Sequence, residues 1–191
     1  MPALITPRTL TTLEEAFRQA LREISGAGQA AAPALERQTL ETLDGSGERR
    51  LLTLTLSSYL FRIVLLFDFR LDAPTQAYFA RLFRNGDAKL AEQALADVLS
   101  EYVNMLSGTA NRLLSTEALR TGMSTPFALE THCRRHLQKL APAECLAYRV
   151  KPAEAVAFNL ILCLCVAPEA TLDLATAPLV EEVVGGELEL F

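Results

Sequence analysis

The sequence predicts an α+β domain in which a mostly antiparallel sheet carries helices packed on one face. Three observations predict it. Arg50–Leu56 alternates as RLLTLTL and is followed at once by a second, more apolar stretch, Tyr59–Arg70. Leu13–Ser25 and the long stretch Asp87–Leu114 repeat apolar residues at helical spacing. Two more strand-like runs, Glu144–Lys151 and Ala155–Val166, close the pattern. The order helix, strands, helix, long helix, strands is that of an α+β domain with helices laid on a sheet.

Each element has a local reason. Thr12 and Glu15 form a capping-box pattern, and Leu13, Phe17, Leu21 and Ile24 give the first helix one apolar face. An AAAP tract and a DGSG cluster punctuate the next stretch, with room between them for a short helical turn or strand. In Arg50–Leu56 the residues Leu52, Leu54 and Leu56 share one face, and Ser57–Ser58 is the expected turn of a hairpin with Tyr59–Arg70. Asp72 is placed to cap a helix with Pro74 in its first turn, and Asn85–Gly86 to stop it. After the long helix, Ser115–Gly122 is a connection. Ser124–Leu129 suits a strand with Pro126 at an edge or bulge. Cys133, His136, Leu137 and Leu140 favour a helix over Leu129–Leu140. A tight turn at Lys151–Pro152 is expected to join the last two strands, the second with the apolar composition of a central strand. One domain over 1–166 is expected, with 167–191 as a loosely docked or disordered C-terminal extension.

Composition limits the function. The chain has 191 residues, half of them hydrophobic, enough to bury a core without a disulfide or metal staple. With 18 Lys+Arg against 23 Asp+Glu the net charge is −5, which lacks the basic footprint of a nucleic-acid or anionic-membrane partner. The apolar stretches Leu60–Phe67 and Ala155–Ala167 are broken by charge or too short to cross a bilayer. The opening MPALITPRTLTT has no secretory pattern, so a cytoplasmic location is expected. Cys133, Cys145, Cys163 and Cys165 form no CxxC pair, and Cys163 and Cys165 alternate within LILCLCV, as buried reduced thiols on one side of a strand. His132, Cys133 and His136 could serve a zinc ion at helical spacing but lack a fourth ligand. Buried thiols and a surface histidine pair are the simpler reading, and no metal of its own is expected.

The long helix holds the candidate site. On a helical wheel Leu95, Leu99, Tyr102, Leu106 and Leu113 fall on one side. Asp97, Glu101, Asn104 and Gly108 fall on the other, with Asn111 beside them. A polar stripe is ordinary on a surface helix. Asn and Gly in mid-helix are less ordinary, because Gly there costs about 1 kcal/mol against Ala. A helix used as a flat docking surface gains from both: Gly108 gives a partner backbone room, and Asn104 offers a donor and an acceptor.

These residues resemble a known family. Asp97-x-x-x-Glu101-x-x-Asn104, followed by Pro126, is similar to the signature of the CheX and CheC chemotaxis phosphatases. SEYVNMLSGTANRLLS is similar to the helix that carries it. A single copy of the helix motif favours the CheX type. The resemblance implies a phosphatase acting on the phospho-aspartate of a CheY-like response regulator. By matching position, Asn104 would orient the attacking water, Glu101 would pair with the regulator's active-site lysine, and Asp97 would be a peripheral contact. Gly108 and Asn111 would complete the partner-binding face. The Mg2+ would belong to the regulator, so the chain needs no cofactor. The resemblance also implies a homodimer joined through sheet strands, for which Ala155–Val166 is the candidate. Two other readings stay open. One is a non-catalytic regulator-binding or flagellar-switch-like protein on the same fold. The other is a small-molecule or metal-binding domain built on His132, Cys133 and His136.

Overall fold

The structure, a computed structural model, describes residues 4–25, 33–43, 45–84, 91–114 and 121–174. Its main sheet is antiparallel throughout. The strands are β2 (Ala34–Gln38), β3 (Arg49–Ser57), β4 (Phe61–Arg70), β5 (Gly122–Met123), β6 (Phe127–Leu129), β7 (Glu144–Ala153) and β8 (Val156–Val166). They run in the order β2-β7-β8-β4-β3, with β5 and β6 both on the outer edge of β3. Two short strands, Leu4–Ile5 (β1) and Thr171–Leu172 (β9), form a separate small parallel pair.

Alternation along each strand decides what each face carries. Leu52, Leu54 and Leu56 of β3, Ile63, Leu65, Phe67 and Phe69 of β4, and Leu160, Leu162 and Leu164 of β8 share the large core with the helices. The helices on that face are α1 (Pro7–Ser25), α2 (Ala73–Arg84) and α3 (Glu92–Leu114). Leu51, Leu66, Ala147, Ile161 and Cys163 point to the other face and form a smaller cluster with Leu43 and Leu137. Leu137 belongs to a 3-10 helix, Thr131–Leu140, so that face is partly covered as well. An aromatic group fixes α3 to the sheet: the Phe69 and Phe158 ring centroids are 4.7 Å apart, and those of Phe79 and Tyr102 4.9 Å.

Several expectations shift. The first helix begins at Pro7, with Thr6 as its cap: the Thr9 amide donates to the Thr6 hydroxyl at 3.2 Å, and Pro occupies the first-turn position that needs no N–H. Thr12 is therefore inside the helix, where its hydroxyl donates to the Leu174 carbonyl at 3.3 Å. The stretch between AAAP and DGSG is the edge strand β2. Asp72 does cap α2, accepting the Thr75 amide at 3.0 Å. Residues 85–90, 115–120 and 175–191, which include the expected Asn85–Gly86 stop, lie outside the described residues. The hairpin between β7 and β8 turns at Glu154–Ala155, beyond Lys151–Pro152, and Pro152 sits in the irregular register between Val150 and Ala153. Of the expected strand Ser124–Leu129 only Phe127–Leu129 is paired, as β6; β5 precedes it at Gly122–Met123, and Pro126, lacking an N–H, stands in the unpaired stretch between them.

The segment Leu129–Leu140 is helical but of 3-10 type. His132 and His136 nevertheless lie side by side, their ring centroids 6.4 Å apart and edge-on, as the expected surface histidine pair. No group of three or more His, Cys, Asp or Glu that could hold a metal ion occurs among the described residues. Ala155–Val166, the candidate dimer strand, is paired on both sides, with β7 and with β4, and so has no open edge. Packing continues past Val166, since Leu172 and Leu174 are buried in the main core. No helix among the described residues is long and apolar enough to cross a membrane.

Candidate functional site on the long helix

Helix α3 is set by its buried face. Leu95, Val98, Leu99, Tyr102, Val103, Leu106, Ala110 and Leu113 are buried against the sheet and α1, which fixes the rotation of the helix. Asp97 and Glu101 are then exposed, and Asn104, Gly108 and Asn111 half-buried. Glu101 and Asn104 are three residues apart, about 4.5 Å along the axis, so their side chains rise next to each other.

The five residues differ in what already holds them. Asp97 accepts a hydrogen bond from the Gln93 side-chain amide at 2.9 Å. Neither Glu101 nor Asn104 makes a hydrogen bond or ion pair with another described residue. Gly108 is not an open gap: a Cβ there would meet the Met123 methyl at 3.7 Å, an ordinary contact. Asn111 is engaged within the chain. Its amide donates to the Thr121 carbonyl at 3.4 Å and its carbonyl accepts from the Thr121 hydroxyl. It thereby ties the residue leading into β5 to α3. Ser124 continues that attachment, exchanging bonds of 3.0 Å with the main chain of Thr55.

Two residues that the sequence reading passed over flank the row. Met105 is 41% exposed on α3, and Met123 is 37% exposed beside Gly108. A methionine exposed next to an acid–amide row was the signal available for Met105. Met123 could not be placed without knowing that β5 lies against the end of α3.

Chemically, this face offers a carboxylate that accepts, an amide that donates and accepts, and a soft apolar flank. His132 and His136 stand on the 3-10 helix at the opposite face of the sheet. The α3 row thus has no nucleophile–base pair among the described residues.

These features define an α+β protein with an antiparallel sheet, helices on one face, and one helix presenting an acid–amide pair without side-chain partners among the described residues. The fold is that of the CheC and CheX chemotaxis proteins. A CheC-like superfamily protein from Shewanella sp. PV-4 aligns with a TM-score of 0.58 at 11% identity, over 81% of this chain and 97% of its own. The chemotaxis protein CheX from Vibrio vulnificus aligns at 0.57 and 12% identity, over 80% and 99%. CheX in a CheX–CheY–BeF3–Mg complex from Borrelia burgdorferi aligns at 0.53 and 11% identity, over 81% and 96%. No protein-family model matches the chain, and no curated protein matches it by sequence.

Proposed function

We propose that this chain is a CheX-type phosphatase for the phospho-aspartate of a CheY-like response regulator. The observation that carries the reading is the pair Glu101 and Asn104. They stand adjacent on the outer face of α3, without partners among the described residues, on a fold shared with a CheX that forms a complex with CheY, BeF3 and Mg. Phosphoryl transfer needs in-line positioning and charge neutralisation more than covalent help from the second protein. Asn104 suits the positioning role, because its carbonyl accepts from water while its NH2 donates to a phosphoryl oxygen without adding negative charge. Glu101 pairs with the regulator's lysine and fixes the docking register, and Asp97, held by Gln93, adds a peripheral acceptor. Gly108, through Met123, contributes apolar surface, and Asn111 supports the face by holding Thr121. Mg2+ sits on the regulator, and this chain supplies no cofactor. A homodimer joined through sheets uses the outer edge of β2 or of β5 and β6, since β8 is paired on both sides.

The test is dephosphorylation of phosphorylated response regulators with the wild type, Asn104→Ala and Glu101→Ala. Wild type accelerates phosphate loss. Asn104→Ala loses at least about a hundredfold of that acceleration, as when a positioning group is removed. Glu101→Ala weakens binding as well. Tight binding to the phosphorylated regulator with no acceleration by the wild type would make the chain a scaffold on the same fold.

A further inference from the structure

We propose that a second site, on the face of the sheet opposite α3, binds a phosphate group, either free or at the end of a monoester. The site is a cavity of about 200 Å3 between the Gly45–Gly47 turn and the 3-10 helix. Its floor is a buried charge cluster. The Asp68 carboxylate, with a side chain only 4% exposed, accepts from Arg49 Nε at 2.6 Å, from Arg134 Nη1 at 2.7 Å and from the Asn159 amide at 3.2 Å. Arg49 Nη2 also donates to the Asp68 main-chain carbonyl at 2.8 Å. Both guanidiniums are therefore fixed before any ligand arrives, which removes much of the ordering cost of binding.

The remaining groups are not explained by that cluster. Arg49 and Arg134 both bond to Asp68, and the described lining also holds Arg135. Arg135 makes no hydrogen bond or ion pair with another described residue. The three-residue period of the 3-10 helix stacks it above His132, which also faces the cavity. The opposite wall is bare main chain: a Cβ on Gly45 would stand 3.0 Å from Arg134 Nη2, so glycine lets the guanidinium lie against the turn. Gly47 holds φ at +75°, a conformation that keeps the turn open to glycine alone at little cost. The guanidinium N–H donors of Arg134 and Arg135 beside a small polar cavity match the oxygens of a phosphate. This site uses no residue of α3 and stands whether or not the regulator reading holds.

The experiment is calorimetric titration of the full chain with inorganic phosphate at fixed ionic strength, made up with sodium chloride. It is repeated with adenosine monophosphate as a phosphomonoester and with Arg135→Gln. Saturable phosphate binding is expected, weakened at least about tenfold in Arg135→Gln. In chloride alone the thermal midpoint of Arg135→Gln matches the wild type, because the side chain is exposed and unbonded. Competition by adenosine monophosphate assigns the site to an ester-linked phosphate, and binding of inorganic phosphate alone assigns it to the free anion. Absence of saturable binding by both probes, or equal binding by Arg135→Gln, overturns the proposal.

Discussion

Removing the Asp68 carboxylate tests the buried cluster most directly. In Asp68→Ala the Arg49 guanidinium, whose side chain is only 6% exposed, loses its counter-ion and the 2.6 Å bond to it. It keeps the main-chain carbonyl of residue 68 at 2.8 Å and a long bond of 3.4 Å to the Ser46 carbonyl. Neither carbonyl replaces the negative charge of the carboxylate. Arg134 is 26% exposed and can turn towards water, so the cost falls mainly on Arg49. Breaking a buried pair by deleting one partner typically costs about 3–5 kcal/mol. In a chain of this length that lowers the thermal midpoint by roughly 6–20 °C. Urea denaturation followed by circular dichroism gives the free-energy difference. Adding Arg49→Met to Asp68→Ala should recover more than half of the loss, because the buried guanidinium that lost the carboxylate goes with it. A loss below about 1 kcal/mol for Asp68→Ala, with no recovery in the double variant, would refute the view that the charge is buried and clamped.

Other outcomes follow from single contacts. Thr9→Val removes a buried hydroxyl that donates to the Leu172 carbonyl at 2.8 Å and accepts from the Leu174 amide at 2.9 Å. It should cost about 1–3 kcal/mol and speed hydrogen exchange at the Leu174 amide. Gly108→Ala should raise stability by up to about 1 kcal/mol in the same denaturation assay, since its Cβ has ordinary room beside Met123. Among the thiols, Cys145 should alkylate well before Cys163. The hydrogen bond between the two thiols, 3.3 Å long, pulls the Cys145 pKa below that of an ordinary thiol, while that same bond and burial push Cys163 up. Because the thiolate is the reactive form, Cys145 labelling should rise with pH through a lower inflection than Cys163 labelling, as read by mass spectrometry of timed samples.

What the sequence made legible was whatever a repeat period encodes. The alternation of Leu52, Leu54 and Leu56 and the wheel of α3 fixed which faces are buried, and both stand in the structure. Cys163 faces the smaller cluster on the reverse of the sheet, and Cys165, two residues on, reaches the Leu140 carbonyl at the end of the 3-10 helix. Misplaced features had causes that a local window cannot see. Thr12 resembled a cap because nothing nearby in sequence shows that its hydroxyl is bound by Leu174, far along the chain. Asn111 lay in the right row of the wheel, but its partner Thr121 arrives from a different segment. The charge cluster was invisible because Arg49, Asp68, Arg134 and Asn159 lie on four separate elements and come together only through sheet order.

The pairing of β1 with β9 has a consequence for the order in which the chain can fold. Leu4 lies opposite Thr171, so the first strand of the domain has no partner until nearly all of it has been synthesised. The helix next to it is in the same position. Thr9 and Thr12 turn inward: the Thr12 hydroxyl donates to the Leu174 carbonyl, and the Thr9 hydroxyl, which also meets Thr6, bonds to the main chain of residues 172 and 174. During synthesis α1 can dock on α3, its main partner, yet the Thr12 hydroxyl lacks its acceptor until Leu174 emerges. Contacts of such long sequence separation close late in folding and slow it. A nascent chain halted before Thr171 therefore holds an almost complete core with an open seam along α1, and release of the last segment is the step that seals it.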